Sequence, residues 1–247
     1  VGFKHFTDFF NSYYFWRLIR NTFMINFWDL LVGFPAPILL ALLLNEVRSQ
    51  QFKRTVQTIS YLPHFLSTVV VVSMMNTLLS VQTGAVNAAL RGLGLNTVYF
   101  MGEPGWFRPL SIISGVWQGT GWNAIIYISA LAGINPELYE AARADGAGRF
   151  RQMWHVSLPG IRETIVILLI MRVGSIMSLS FEKPFLMQNS LNISKSEVIS
   201  TYVYKLGLQR NDYSRSTAIG LFNAVISLLL VLMANFTSRK LSDSSLF

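Results

Sequence analysis

Residues 216–238 read STAIGLFNAVISLLLVLMANFTS, a stretch that contains no charged side chain. A helix of about 20 apolar residues crosses the ~30 Å hydrocarbon core of a bilayer, so this stretch predicts a transmembrane helix. Further apolar stretches cover Leu30–Asn45, Thr55–Leu90, Pro109–Pro136 and Glu163–Glu182, the last interrupted only by Arg172. The sequence therefore predicts an all-α, polytopic helical membrane protein with five spans.

The composition agrees with this class. Of the 247 residues, 52% are hydrophobic and only 13% are charged, whereas an ordinary soluble domain carries about 25% charged residues. The net charge of +8 thus does not indicate a disordered or nucleic-acid-coating protein, and no nucleic-acid partner is expected. Cysteine is absent and the histidines fall on different segments, so we expect no catalytic residues, no metal site and no cofactor bound by this chain.

The polar residues between the apolar stretches set the expected helix bounds. An aromatic-rich segment, residues 1–16, is expected to lie along the membrane interface. The predicted spans are Arg17–Val47, kinked by Pro35 and Pro37, then Thr55–Ser80, Pro109–Ile134, Ile161–Phe181 and Ser216–Thr237. Polar loops are predicted at 84–108 and 182–216, with a short tail at Ser238–Phe247. Because the chain starts at Val1 rather than Met, we expect a preceding segment with a first span.

A charged insertion at residues 135–160 separates two predicted spans. Asn135 suits a helix N-cap, Pro136 suits the first helical position, and Gly146 suits a left-handed C-terminal residue. We predict one helix from Pro136 to Ala144 and a second from Arg149 to Val156, which Leu158-Pro159 ends. Two short charged helices joined at a glycine would form a rigid projection at the membrane surface, suited to docking into another protein, although an ordinary amphipathic connector has the same periodicity.

The insertion resembles a known family. Glu140-Ala141-Ala142, then Gly146 after three residues and Val156-Ser157-Leu158-Pro159 after nine more, is similar to the EAA loop of membrane subunits of binding-protein-dependent ABC importers. Phe34-Pro35-Ala36-Pro37 and Tyr61-Leu62-Pro63-His64 resemble the LplB-like branch of oligosaccharide and polysaccharide permeases, and the likeness covers essentially the whole chain. Val156 replaces the isoleucine that is usual in this pattern.

The resemblance implies an ABC importer type I permease fold, as a single permease domain over residues 1–247 with a cytoplasmic coupling loop at 135–160. It implies a bacterial cytoplasmic (inner) membrane protein that forms half of a translocation path, completed by a second homologous permease. The other implied partners are two ATPase subunits that bind ATP and Mg and a periplasmic or lipid-anchored sugar-binding protein. The implied coupling residues are Glu140, Ala141, Ala142, Asp145, Gly146, Leu158 and Pro159.

Polar and aromatic residues within two spans are candidates for the substrate path. Aromatic rings stack on sugar faces and amides bind hydroxyls, so we select Trp117, Gln118, Trp122 and Asn123, together with Arg172, Ser175, Ser178 and Glu182, which share one face of the predicted span Ile161–Phe181. Tryptophans near span ends are also common interface anchors. Arg172 either faces the substrate or pairs with a neighbouring helix or partner subunit. Gly115 and Gly119 form a small-xxx-small pair that favours close helix approach.

The substrate class follows from the resemblance and from charge. The segments 1–20, 83–108 and 182–216, which are expected to face outward, hold ten Lys and Arg residues against five acidic ones. A positive surface concentrates anionic ligands, so we predict an acidic oligosaccharide such as an alginate fragment. Neutral oligosaccharides, and charges that instead meet lipid headgroups or the binding protein, remain alternatives.

Two other function classes are weighed against a permease. An ion-coupled secondary transporter would show internal repeats and intramembrane carboxylates, and a membrane enzyme would show a nucleophile–base pair or a metal motif; the sequence indicates neither. A phosphate-binding Gly-x-x-x-x-Gly-Lys-Ser/Thr loop is also absent, so ATP would have to be hydrolysed by another subunit.

Overall fold

The computed structural model describes residues 2–178 and 180–241, with side chains up to residue 237. Every regular element in these ranges is helical. The α-helices are α1 (Lys4–Phe10), α2 (Phe15–Gly33), α3 (Pro35–Asn45), α4 (Gln50–Tyr61), α5 (Thr68–Leu78), α6 (Ala85–Gly92), α7 (Pro104–Ala132), α8 (Pro136–Ala144), α9 (Arg149–Gln152), α10 (Leu158–Gly160), α11 (Arg162–Gly174), α12 (Glu182–Met187), α13 (Ile193–Ser196), α14 (Ile199–Tyr204) and α15 (Tyr213–Leu241). The predicted polar loops contain α6 and α12 to α14, and residues 242–247 of the predicted tail lie outside the described residues.

Two helical segments are long and apolar enough to cross a bilayer. The first, Phe15–Asn45, combines α2 and α3 over 31 residues, and the second, Tyr213–Thr237, forms most of α15 over 25 residues. Only 6% of the apolar window of α15 is buried within this chain, so lipid or other subunits must cover the rest of it. The expected break at the prolines occurs at Phe34, where α2 ends and Pro35 starts α3.

The predicted single helix Thr55–Ser80 is wrong. The helical segment Gln50–Phe65 and the helix Thr68–Leu78 meet at an angle of 97°. A 3₁₀ turn at Leu62–Phe65 contains Pro63, and the Ser67 side chain accepts a hydrogen bond from the Val70 N–H as the N-cap of α5. The proline lacks an amide donor and the serine starts a new helix. This bent pair could form one further span, and the number of five spans stays a prediction.

The predicted span Ile161–Phe181 also ends early. Helix α11 ends at Gly174, and residues 175–177 form a turn. Glycine and the serines that follow it have low helix propensity. A Cβ at Gly174 would lie 2.1 Å from Val231 Cγ2, so the absence of a side chain allows α11 to pack closely against α15 at this point.

The described residues form two compact units, each with its own core. The first unit comprises 1–28, 66–114 and 175–229, and its core contains Ile25, Val72, Met101, Phe107, Met187 and Val198. The second unit comprises 29–65, 115–174 and 230–247, and its core contains Ile38, Ala41, Leu42, Ala124, Tyr127, Leu131 and Ile161. The prediction of a single domain over 1–247 stays a prediction.

A close contact between a helix and the backbone of another helix lies at Gly121 of α7, in the second unit. A Cβ at this position would meet the Ser60 carbonyl oxygen at 2.1 Å, whereas a Cβ at Gly119 would meet only the amide nitrogen of Asn123, at 3.2 Å. Gly121 rather than Gly119 therefore allows the backbone of α4 to approach α7.

We expect Gly121→Ala to lower the thermal midpoint of the purified protein, because overpacking against a backbone atom costs about 1–3 kcal/mol. Gly105→Ala is the matched control on the same helix, since a Cβ there meets nothing within 4 Å and alanine favours the helix. The measurement is thermal unfolding in detergent micelles. Equal midpoints for the two variants would contradict the close packing at Gly121.

Candidate coupling loop and substrate path

Helix α8 has the N-terminus that the sequence predicts. The Asn135 side-chain oxygen accepts a hydrogen bond from the Glu137 N–H at 3.0 Å, and Pro136 occupies the first helical position. Glu137 lies in the first turn, where a carboxylate favours the positive end of the helix. The predicted helix Pro136–Ala144 is confirmed.

A left-handed glycine ends α8. Gly146 has a φ of +74°, its N–H donates to the Arg143 carbonyl at 3.0 Å, and the Ala147 N–H donates to the Ala142 carbonyl at 2.8 Å. These bonds satisfy carbonyl groups that the helix end would leave open. The chain therefore turns sharply between α8 and α9, as the sequence predicts for Gly146.

The second short helix differs from its prediction. Helix α9 ends at Gln152 and continues through a π-helical turn, Met153–Ser157, into α10. Pro159 therefore does not stop the helix as predicted. The wider π turn changes the hydrogen-bond pattern just before the proline, whose missing N–H and ring would otherwise disturb an α-helix.

Packing anchors this loop to the second unit. Tyr139 of α8 and Ser157 share a hydrogen bond of 3.0 Å between their hydroxyl groups, while Leu158 and Ile161 join the core of the unit. A Cβ at Gly160 would lie 2.5 Å from Ile134 Cδ1, so the two ends of the loop are in contact. The loop is thus a rigid element fixed at both ends.

The surface of the loop that does not pack against the core of the second unit is exposed. Glu140, Ala141, Asp145, Gly146 and Pro159 are exposed, and Ala142 and Leu158 are partly buried. Three large apolar side chains are exposed beside them: Leu138 at 54%, Phe150 at 81% and Trp154 at 65%. Exposed apolar side chains of this size, next to charged ones, are typical of a protein-docking surface.

The predicted path residues of α7 are only partly brought together. The Trp122 ring stacks on His64 with a centroid distance of 4.5 Å and contacts Phe65 edge to face at 5.6 Å. Trp117 and Asn123 are exposed and Gln118 is partly buried. Trp122 therefore packs against the 3₁₀ turn that follows α4, a contact that neither sugar stacking nor interface anchoring predicts.

The predicted shared face of Arg172, Ser175, Ser178 and Glu182 is wrong. Because α11 ends at Gly174, Ser175 lies in the turn after it and Ser178 lies beyond that turn. Glu182 is the first residue of α12. Ser178 shares a hydroxyl hydrogen bond of 2.9 Å with Ser227, and all three residues are exposed. The helical spacing on which the prediction rested does not extend beyond residue 174.

Arg172 pairs with Asp29, a residue that the sequence analysis did not select. The Arg172 guanidinium donates a hydrogen bond to the Asp29 carboxylate, and this ion pair links α11 to α2. Of the alternatives for Arg172, the structure favours pairing with a neighbouring helix. It also corrects the expectation that intramembrane carboxylates are absent, since Asp29 lies inside the span Phe15–Asn45. The sequence does contain a signal for this pair, since Asp29 and Arg172 are opposite charges inside two predicted spans.

A buried charge lies in the first unit. Glu197 accepts a hydrogen bond from Arg17, and its other carboxylate oxygen lies 3.5 Å from Lys205 Nζ. Only 6% of the Glu197 side chain is exposed. The Asn21 amide donates to the Ser194 and Glu197 carbonyls at 3.1 and 2.9 Å, so α2 holds the segment that precedes α14.

A cavity of about 560 Å³ lies in the first unit. Its polar side chains include Asn76, Gln82, Tyr99, Gln188 and Asn189. These groups are uncharged donors and acceptors. None of the predicted path residues lines this cavity.

The chain belongs to the family of binding-protein-dependent transport system inner membrane components, whose model matches residues 33–243. The protein is thus a multi-pass permease subunit of an ABC importer with the type I permease fold, and partner ATPase subunits hydrolyse the ATP. This membership favours the importer over the ion-coupled alternative.

Two of the three proteins that we compare with this chain are named for the transport of a polysaccharide. It is 47% identical to Protein LplB of Bacillus subtilis, a match that covers 100% of this chain and 78% of LplB. It is 44% identical to the polygalacturonan/rhamnogalacturonan transport system permease protein YteP of the same species, over 100% of this chain and 77% of YteP. A chain of a bacterial alginate ABC transporter, solved with an alginate pentasaccharide-bound periplasmic protein, matches at 46% identity with a TM-score of 0.97, over 100% and 85% of the two chains.

We expect Arg172→Gln and Asp29→Asn each to lower the thermal midpoint of the assembled transporter, because each removes one charge of the ion pair that links α11 to α2. The decrease in thermal midpoint of the double variant should be smaller than the sum of the decreases of the two single variants. Arg162→Gln, at the exposed start of α11, is the control and should change little. Additive losses in this cycle would show that the pair does not stabilise the fold.

Proposed function

We propose that this permease forms half of the translocation path for an acidic, uronate-containing oligosaccharide in the bacterial inner membrane. The likeness that carries this proposal is the full-length match to a chain of the alginate transporter, with a TM-score of 0.97. The relative named for polygalacturonan transport supports it independently. Both names refer to polymers rich in uronic acids, whose repeating carboxylates distinguish them from neutral sugars.

The path is proposed to be completed by a second, homologous permease. The apolar window of α15 is almost unburied within this chain, and polar path residues facing lipid would leave unsatisfied groups at a cost of several kcal/mol each. A partner of the same class, packed against these surfaces, would cover both. A periplasmic or lipid-anchored binding protein would deliver the sugar to the outward face, and residues 135–160 would lie on the cytoplasmic side.

Coupling is assigned to the EAA loop. Glu140 and Ala141 on α8 are exposed, as are Asp145 and Gly146 in the turn that follows it, and Leu158 connects the loop to the core of the second unit. The complex would contain two ATPase subunits that bind ATP and Mg, and one of them would bind the exposed face of this loop. Because the loop is fixed at both ends, movement of the ATPases would be transmitted to α7 and α11 rather than absorbed in the loop.

We expect Gly146→Pro and Glu140→Lys to abolish ATP hydrolysis that is stimulated by the sugar-loaded binding protein. Proline cannot adopt the φ of +74° and removes the N–H that bonds to Arg143, and the lysine reverses a charge on the exposed face. Gly148→Ala is the matched control, since Gly148 has an ordinary φ of −67° and space for a Cβ. Unchanged stimulation of an intact Gly146→Pro complex would refute the coupling assignment.

The substrate class is tested by uptake into proteoliposomes that contain the assembled transporter and its binding protein. We expect a uronate trisaccharide to be taken up, whereas its carboxyl-reduced counterpart, which keeps the same linkages, should be taken up at least tenfold less efficiently and compete poorly. Uptake of the carboxyl-reduced sugar, with no competition from the uronate, would contradict the proposed acidic substrate and indicate a neutral one.

A further inference from the structure

A second, smaller cavity in the first unit has a different chemistry. Its volume is about 270 Å³, and its lining includes Tyr13, Tyr14, Tyr202, Arg210 and Arg215. Ligand cavities for drug-sized molecules occupy about 300–1,000 Å³, so this one fits a single sugar residue. It lies among the segments that the sequence predicts to face outward, 1–20 and 182–216.

The tyrosines form an ordered aromatic wall. The Tyr14 ring lies 5.7 Å from Tyr13 and 5.5 Å from Tyr202, measured between centroids. The guanidinium carbon of Arg17 lies 5.0 Å from the Tyr14 ring centroid, and Arg17 is itself held by buried Glu197. Burial raises the pKa of the Tyr202 phenol, an effect that the nearby Arg215 opposes, so its hydroxyl remains a hydrogen-bond donor at neutral pH.

A residue in the left-handed conformation follows Arg210, the first arginine of the lining. Asn211 has a φ of +58°, a conformation that few residues other than glycine adopt. The Arg210 N–H donates to the Lys205 carbonyl at 3.1 Å, and the Asp212 N–H donates to the Leu206 carbonyl at 3.0 Å. These bonds hold Arg210 at the cavity, immediately before α15.

The charges of the lining leave one cation in excess. Arg215 lies in the first turn of α15, where a positive charge is unfavourable, and its Nη2 lies 3.7 Å from the Asp8 carboxylate, which also lines the cavity. No salt bridge to Arg210 is found among the described residues. The net charge of +1 matches a ligand that carries one carboxylate.

We propose that this cavity is a subsite for one uronate residue of the transported oligosaccharide, in which Arg210 binds the carboxylate and the tyrosines contact the sugar ring. A guanidinium binds a carboxylate through two parallel hydrogen bonds, and aromatic faces cover the C–H-rich face of a pyranose. Lipid phosphate would also meet Arg210, but a headgroup does not need the tyrosine wall or the hydroxyl donor of Tyr202. The inference rests on the proposed acidic substrate and assigns it a position on the outer face.

The absence of cysteine from this chain allows a direct test. Ser12, which lines the cavity, is replaced by the nearly isosteric cysteine, and its alkylation by a maleimide is timed in the assembled transporter in phosphatidylcholine nanodiscs. We expect a millimolar uronate trisaccharide to slow alkylation at least threefold and its carboxyl-reduced counterpart to have no effect. Ser190→Cys, at an exposed residue outside the cavity lining, is the control and should be unaffected by either sugar.

Adding Arg210→Gln to Ser12→Cys should remove the protection. Equal alkylation rates with and without the uronate would overturn the subsite, as would protection that persists in the Arg210→Gln variant. Protection that appears when phosphatidylglycerol replaces phosphatidylcholine, with no effect of sugar, would make the cavity a lipid site and also overturn the proposal.

The uptake assay separates this result from the proposed function. If the wild-type transporter fails to take up the uronate trisaccharide but Ser12→Cys is protected through Arg210, the cavity binds a uronate, but the proposed substrate fails and the role of the cavity in transport fails with it. If uptake occurs without protection, the substrate stands and the subsite is wrong.

Discussion

The hydrocarbon core of the membrane tolerates no unpaired backbone donor or acceptor, and the rest of this structure depends on that constraint. It explains why every regular element in the described part of the chain is helical and why the breaks are repaired locally. At Phe34 the break is one residue long, since Pro35 begins the next helix. At Ser67 a side-chain oxygen caps the new helix. At both of these bends the chain itself supplies a substitute hydrogen bond or a proline in the first turn.

Ion pairs join helices in both units. Arg172 is paired with Asp29 in the second unit, and Glu197 is paired with Arg17 and Lys205 in the first. Such pairs rarely add much stability over an apolar contact, but the loss of one partner is costly. Their effect is to fix which helices lie together: α2 with α11 in one unit, and α2 with the segment before α14 in the other.

The sequence predicted what local chemistry decides. Asn135, Pro136 and Gly146 define α8 through caps and backbone torsions, and the structure has this helix as predicted. The close packing of Gly174, the last residue of α11, against Val231 joins residues 57 positions apart in the chain, and no periodicity in α11 reveals it. The partner of Arg172 and the stacking of Trp122 on His64 are likewise tertiary contacts. The first helix of the 135–160 loop could thus be predicted in detail, whereas its second helix and the contacts of the predicted path residues could not.

The coupling loop combines two surfaces with opposite requirements. Its inner surface must be fixed, and the core contacts of Leu158 and Ile161 with the hydrogen bond between Tyr139 and Ser157 meet this need. In the proposed coupling role its outer surface binds a partner that moves during ATP hydrolysis, and exposed Phe150 and Trp154 supply apolar area for such a contact. In a flexible loop, changes in the backbone torsions would absorb the motion of the partner before it reached the membrane helices. In the proposed coupling role, the loop instead transmits the motion of the partner to α11. It does so because rigid elements lie between the docking surface and α11: a short capped helix, a left-handed glycine and a π turn that continues into α10.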